Sequence, residues 1–140
     1  MNVLSLQKGD KLPGLTKGPI TQLDLVRYAG ASGDFNPIHL VESAAHEAGL
    51  DGTIAHGMLT MAYIGQMITE FVGNDGQLVE FSVRFRAMVK PGDTVFCSGE
   101  ITRVEPQDYG ETRVTVAVYA QTDKAQTAVK GSAILLFYPK

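Results

Sequence analysis

The chain has 140 residues, 44% hydrophobic and 19% charged, with a formal net charge of −3. That length suits one domain spanning residues 1–140, able to bury roughly two thirds of its unfolded surface unaided, and the acidic balance argues against wrapping a phosphate backbone. Met1 to Gly9 lacks the apolar core of a signal peptide, and the longest apolar run, around Ile134 to Tyr138, is far too short to cross a bilayer; the expectation is a cytoplasmic protein with no nucleic-acid or membrane partner.

Residues 1–20 contain Gly9, Pro13, Gly14, Gly18 and Pro19, so any strand there is short and near a sheet edge. Thr21 reads as a helix cap with Asp24 in the capping-box position. Leu23, Leu25, Val26, Tyr28 and Ala29 supply apolar surface up to Gly30, which is expected to end the helix. Ser32-Gly33-Asp34-Phe35-Asn36-Pro37-Ile38-His39 follows. Gly33 permits a backbone angle closed to other residues and Pro37 drives Asn36 out of the helical region, which predicts an irregular, partly extended loop. In such a loop Asp34 and His39 can point into one pocket, and a carboxylate beside an imidazole is a usual pairing for positioning and activating water. The ordinary reading of the same residues is a turn, with Asp34 as a cap and Asn36 in an Asx-turn before Pro37. Val41 to Ala48 predict a short second helix, with Gly49 in the left-handed position just past its end.

After Asp51-Gly52, Ile54-Ala55-His56-Gly57-Met58-Leu59 leads into a helix of about four turns through Val72. Met58, Met61, Ile64, Gly65, Ile68, Phe71 and Val72 share one face, while Gln66, Thr69 and Glu70 gather opposite. In the N-terminal half that opposite arc carries Leu59, Ala62 and Tyr63, so this half is expected to be enclosed nearly all round by a wrapped sheet and a partner subunit. From Leu78 the period becomes two: Val79, Phe81, Val83, Phe85, Ala87 and Val89 against Glu80, Ser82, Arg84 and Arg86. Beyond the Pro91-Gly92-Asp93 turn, Val95 to Val104, Thr112 to Thr122 and Gln126 to Tyr138 predict three more strands, and four consecutive strands imply an antiparallel meander. The fold class is α+β: one buried helix and a sheet long enough to curl around it. Cys97, the only cysteine, allows no internal disulfide and reads as a packing thiol, since no strong local base would make it a nucleophile.

Tyr28-Ala29-Gly30-Ala31-Ser32-Gly33-Asp34-Phe35-Asn36-Pro37-Ile38-His39, followed by Ala55-His56-Gly57-Met58-Leu59, resembles the MaoC-like (R)-specific enoyl-thioester hydratases over nearly the whole chain. It is similar above all to the small single-domain members, including catalytic subunits of 3-hydroxyacyl-thioester dehydratases of mycolic-acid-type fatty acid elongation. The resemblance implies a hot-dog fold, an antiparallel sheet wrapped around a long central helix, with a homodimer as the leading assembly and a heterodimer with a related chain as the other. It also implies that Asp34 and His39 are the catalytic pair, that Asn36 steadies the site, and that the Gly57 amide forms an oxyanion hole. The activity so implied is hydration of trans-2-enoyl thioesters of coenzyme A or acyl carrier protein to (R)-3-hydroxyacyl thioesters and the reverse dehydration, without a cofactor.

Physical chemistry supports the roles separately. Addition of water to C2=C3 puts negative charge on the thioester oxygen, which needs preorganised donors. Gly57, at a helix start, has an N–H without a helical partner and no side chain to obstruct a thioester. An imidazole is the better-matched base near neutrality, although a buried Asp34 could exchange the two roles, and the division of proton transfers stays open at this point. His56, Met58, Arg84 and Arg86 are the substrate-binding candidates. His56 is read as a hydrogen-bonding residue beside the hole, and Met58, Met61 and Met67 as core or acyl-tunnel lining. Arg84, Arg86 and Lys90 read either as a solvated face or as contacts for coenzyme A phosphates or an acidic carrier protein. His46 reads as a solvated helix residue. No metal is expected, because the three histidines lack a ligand pair at helical spacing. Two alternatives are a hot-dog thioesterase, against which the intact Asp34/Asn36/His39 loop speaks, and an acyl-thioester-binding subunit of a heterodimeric dehydratase.

Overall fold

Residues with a two-residue apolar period build most of an antiparallel sheet in this protein, whose computed structural model describes residues 2–140. Met1, where the stretch read for a targeting signal begins, lies outside the described residues. The strands are β1 (Leu15–Lys17), β2 (Gly76–Phe85), β3 (Val95–Pro106), β4 (Thr112–Thr122) and β5 (Thr127–Phe137), in the sheet order β1-β3-β4-β5-β2. As expected, the N-terminal strand is short and lies at an edge.

The four-strand meander expected from sequence holds only for β3, β4 and β5. β2 crosses to the far side of β5, with Phe81 opposite Ala133 and Phe85 opposite Val129. Its connection to β3, residues 86–94, is too long for a tight hairpin and is pinned elsewhere: the Ala55 N–H donates to Val89 O (2.7 Å), and the Asp93 carboxylate accepts the Lys90 N–H (3.0 Å) and pairs with Lys124. That carboxylate raises the Lys124 pKa. Ala87 and Val89, read as strand, belong to this connection. A bulge between Leu78 and Glu80 also shifts the register, so Val79 is 41% exposed while Phe81 and Val83 turn inward.

The sheet curls around α3 (Gly57–Val72), which buries Leu59, Thr60, Ile64, Met67, Ile68 and Val72 among Val114, Val116, Val118, Ala133, Leu135 and Phe137. The expected enclosure of its N-terminal half is incomplete in one chain: Gly57, Met58 and Ala62 stay exposed. Cys97 faces the core, where burial pushes its thiol up to about 11, as befits a packing residue. Among the described residues no helix is long and apolar enough to cross a membrane.

The first helix, α1 (Gln22–Ser32), starts at the Thr21/Asp24 capping box and runs past Gly30 to a left-handed Gly33 (φ 75). Gly30 costs helix propensity without a stop, whereas Gly33 supplies the terminating geometry. The backbone hydrogen bond from Thr21 is the main cause holding the Asp24 carboxyl below its usual range. Thr21→Ala is expected to lower stability by about 1 kcal/mol in urea denaturation. The same depressed carboxyl contributes stability above the ordinary Asp range that fades as pH falls through its folded value. The second helix, α2 (Glu42–Glu47), ends before Gly49 at φ 84.

Candidate active site

Three segments meet at the N-terminal end of α3: the loop after α1, residues 54–56, and the end of β2. The loop is a run of nested turns. The Asp34 N–H donates to Ser32 Oγ (3.1 Å), the Asn36 N–H to Asp34 Oδ1 (3.2 Å), and the Ile38 N–H to Asn36 Oδ1 (3.2 Å). Asn36 is held outside the helical region (φ −55, ψ 123), as Pro37 requires. Pro37–His39 closes into a 3-10 turn, a regularity the loop reading did not include. The turn-making roles of Asp34 and Asn36 are therefore real, and they leave Asp34 Oδ2 outside these turns.

That turn swings His39 inward, where it is 7% exposed, while the Asp34 side chain is half exposed. Burial thus falls on the imidazole and not on the carboxylate. His39 Nδ1 lies 2.7 Å from Ile54 O. A carbonyl only accepts, so Nδ1 carries the proton and Nε2 of the neutral ring keeps its lone pair. Asp34 Oδ2 stands 3.9 Å from that Nε2. The Gln22 amide supports the backbone by donating to His39 O (2.8 Å), and Thr53 Oγ1 donates to Gln22 Oε1 (2.6 Å).

His56 is 2% exposed and stands behind the pair. Its ring stacks on His39 with centroids 3.8 Å apart, meets Tyr28 edge-on at 4.8 Å, and donates from Nε2 to Asp34 O at 3.0 Å. It touches both members of the pair and, like Asp34, is absent from the lining of the neighbouring cleft, which His39 reaches. The cleft, of about 310 Å³, is lined by His39, Ile54, Gly57, Met58, Thr60 and Phe85 among others, and is largely apolar. Gly57 opens α3 there with no intrahelical partner for its N–H. A Cβ at Gly57 would come within 3.0 Å of the Phe85 ring.

The other candidates disperse. Met58 lines the cleft at 54% exposure, whereas Met67 is core. Arg84 and Arg86 line a separate groove with Lys130. Lys90 does not join them; it pairs with Asp51 (3.3 Å) beside another surface cleft. His46 is a solvated helix residue as read, with Nε2 2.9 Å from Asp51 O. Folding also gathers Asp34, His39 and His56, each offering a ligand atom within 4.8 Å of the others, a grouping invisible to linear spacing. Of this group, His39 Nε2 and Asp34 Oδ2 face each other at 3.9 Å, while His56, whose Nε2 is directed at Asp34 O, keeps Nδ1 buried without a hydrogen-bond partner among the described residues.

Sequence reasoning missed Tyr28, Ile54 O and Phe85 as neighbours of the pair, because nothing local links them to it. Thr60 did carry a signal: a polar residue, one turn beyond Gly57, in an otherwise apolar helix half.

The family described as MaoC like domain matches residues 7–125. The (R)-specific enoyl-CoA hydratase of Rhodospirillum rubrum is 35% identical over 89 residues, 63% of this chain and 62% of that protein. The fatty acid synthase subunit beta of Aspergillus oryzae is 38% identical over 102 residues, 71% of this chain but 5% of that much longer protein. The chain therefore spans less than two thirds of the length of either. Among solved structures, unliganded R-hydratase PhaJ1 from Pseudomonas aeruginosa superposes with a TM-score of 0.87 at 29% identity, covering 99% of this chain and 86% of that one. The fold is the hot-dog fold.

Proposed function

The chain belongs to the MaoC-like domain family, and on that premise we propose that it interconverts trans-2-enoyl and (R)-3-hydroxyacyl thioesters by adding or removing water, in the cytoplasm and without metal or redox cofactor. The observation that carries this reading is His39 Nε2, the ring nitrogen not bonded to Ile54 O, facing Asp34 Oδ2 at 3.9 Å beside an apolar cleft. Two acceptors at that separation hold one water between them, within about 2.8 Å of each. Both water hydrogens then point at protein, and an oxygen lone pair is left for C3.

In the hydration direction, His39 Nε2 takes a proton as the water oxygen bonds to C3. The π electrons of C2=C3 move toward the carbonyl, and the Gly57 N–H stabilises the oxygen charge that develops. Collapse of that enolate returns the proton to C2, so the sum is addition of H and OH with nothing oxidised. Asp34 orients the water and favours the imidazolium. Asn36 steadies the turn that presents Asp34, His56 supports both members of the pair, and Met58 meets the acyl chain. A thioesterase would need the water aimed at the carbonyl carbon instead of C3.

A second copy of the chain, or a closely related one, completes the cleft in this reading. The outer edge of β2 is unpaired among the described residues, and Val79, Phe85, Met58 and Met88 are between 41% and 54% exposed on it or beside the cleft. Purified protein supplied alone with enoyl-CoA thioesters of increasing chain length should consume the enoyl absorbance and yield the (R) product. Release of free thiol from saturated acyl-CoA, with no hydration, would instead identify a thioesterase.

A further inference from the structure

On the outer face of the sheet, away from α3, lies a groove of about 350 Å³ lined by Ser82, Arg84, Arg86, Lys130, Gly131 and Ser132. Register puts Arg84 directly opposite Lys130, and Ser82 opposite Ser132. Like charges facing across two strands repel and destabilise a sheet. Here nothing neutralises them: among the described residues, Arg84, Arg86 and Lys130 make no ion pair, and the acid nearest along β2, Glu80, pairs with Arg113 at 3.6 Å. Lys130 Nζ instead lies 5.8 Å over the Tyr119 ring. Three cations without an ion pair thus share one groove on a chain of net charge −3. The two hydroxyls add neutral donors, and Gly131 adds no side chain to the floor.

We propose that Arg84, Arg86 and Lys130 form an anion site for the phosphate groups of the nucleotide that carries the thioester. Guanidinium forks bind phosphate oxygens in pairs, and an ammonium adds a point charge. Position supports the assignment: Phe85, between the two arginines in sequence, lines the cleft and touches the Gly57 position from the inner face. A carrier leaving the cleft at the end of β2 thus turns around that strand end onto the groove. The assignment rests on the thioester reading for its occupant, while its binding test does not require activity.

The test measures binding of adenosine 3′,5′-bisphosphate by calorimetry at low ionic strength to the intact chain, to Arg84→Glu and Lys130→Glu, and to Lys8→Glu as a control with the same charge change on the exposed N-terminal segment. Binding should be unchanged in Lys8→Glu and at least about tenfold weaker in the two groove variants. The Michaelis constant for crotonyl-CoA should rise by a similar factor with kcat within about twofold, whereas crotonyl-pantetheine, which lacks phosphates, should show no change. No bisphosphate binding by the unaltered chain, or equal weakening in Lys8→Glu, overturns the proposal. So does a raised Michaelis constant confined to thioesters on an acidic carrier protein, which would make the groove a protein dock. Should the chain hydrate neither thioester yet bind the bisphosphate in the expected pattern, the groove stands and the hydratase reading falls. Melting curves control for folding, and Arg84→Gln and Lys130→Gln replace any charge reversal that does not fold.

Discussion

His39→Asn is expected to lower kcat/KM for enoyl-thioester hydration by about 10²- to 10⁴-fold, the usual contribution of a positioned acid–base group. Asparagine is the informative replacement. Its side-chain amide reaches the place of Nδ1 and preserves a donor for Ile54 O, which His39 now satisfies at 2.7 Å. Alanine would leave that carbonyl unpaired, with a stability loss of about 1–3 kcal/mol that confuses the measurement. What asparagine lacks is Nε2, the atom 3.9 Å from Asp34 Oδ2. Asp34→Asn keeps the turn acceptor for the Asn36 N–H while removing the charge, and a loss of similar order is expected. Because the two groups hold one water, the double variant should lose little more than the worse single one. Losses that multiply fully would mean two independent functions, and near-normal turnover in either single variant would remove the pair from the mechanism.

The approach of Asp34 to His39 was legible because local rules govern it. Gly33, Asn36 and Pro37 each demand a particular backbone geometry, and their sum turns two side chains toward one side. The same holds for the Thr21/Asp24 cap and for the three-strand meander from Val95 onward. What escaped depends on contacts distant in sequence. Nothing near Phe85 says that β2 pairs with β5 instead of β3, nor that its ring lies against Gly57; both follow from how the sheet curls over α3. The bulge at Val79 is also silent in the pattern, since alternation of apolar residues continues through it while the backbone inserts one residue. Stacking of His56 on His39 is another tertiary product: 17 positions separate them, and the Ile54 hydrogen bond brings the rings together.

Gly57→Ala provides the sharper test of the oxyanion role, because helix propensity and catalysis should move in opposite directions. In the first turn of α3 alanine is the better helix former by up to about 1 kcal/mol, so propensity by itself favours a stable variant. The backbone N–H remains, and what is added is a methyl group within 3.0 Å of the Phe85 ring, at a mouth where Phe85 is 53% exposed and has room to yield. The methyl therefore intrudes on the space a thioester oxygen needs to reach the N–H. Hydration is expected to fall about 10²- to 10³-fold, the loss typical of one missing oxyanion donor, with thermal unfolding within a few degrees of the parent. Phe85→Ala in the same background separates two causes. If the methyl acts by pushing the ring into the cleft, removing the ring restores rate; if it blocks the N–H itself, the double variant stays slow. A folded Gly57→Ala protein working within about twofold of the parent would place the developing charge elsewhere.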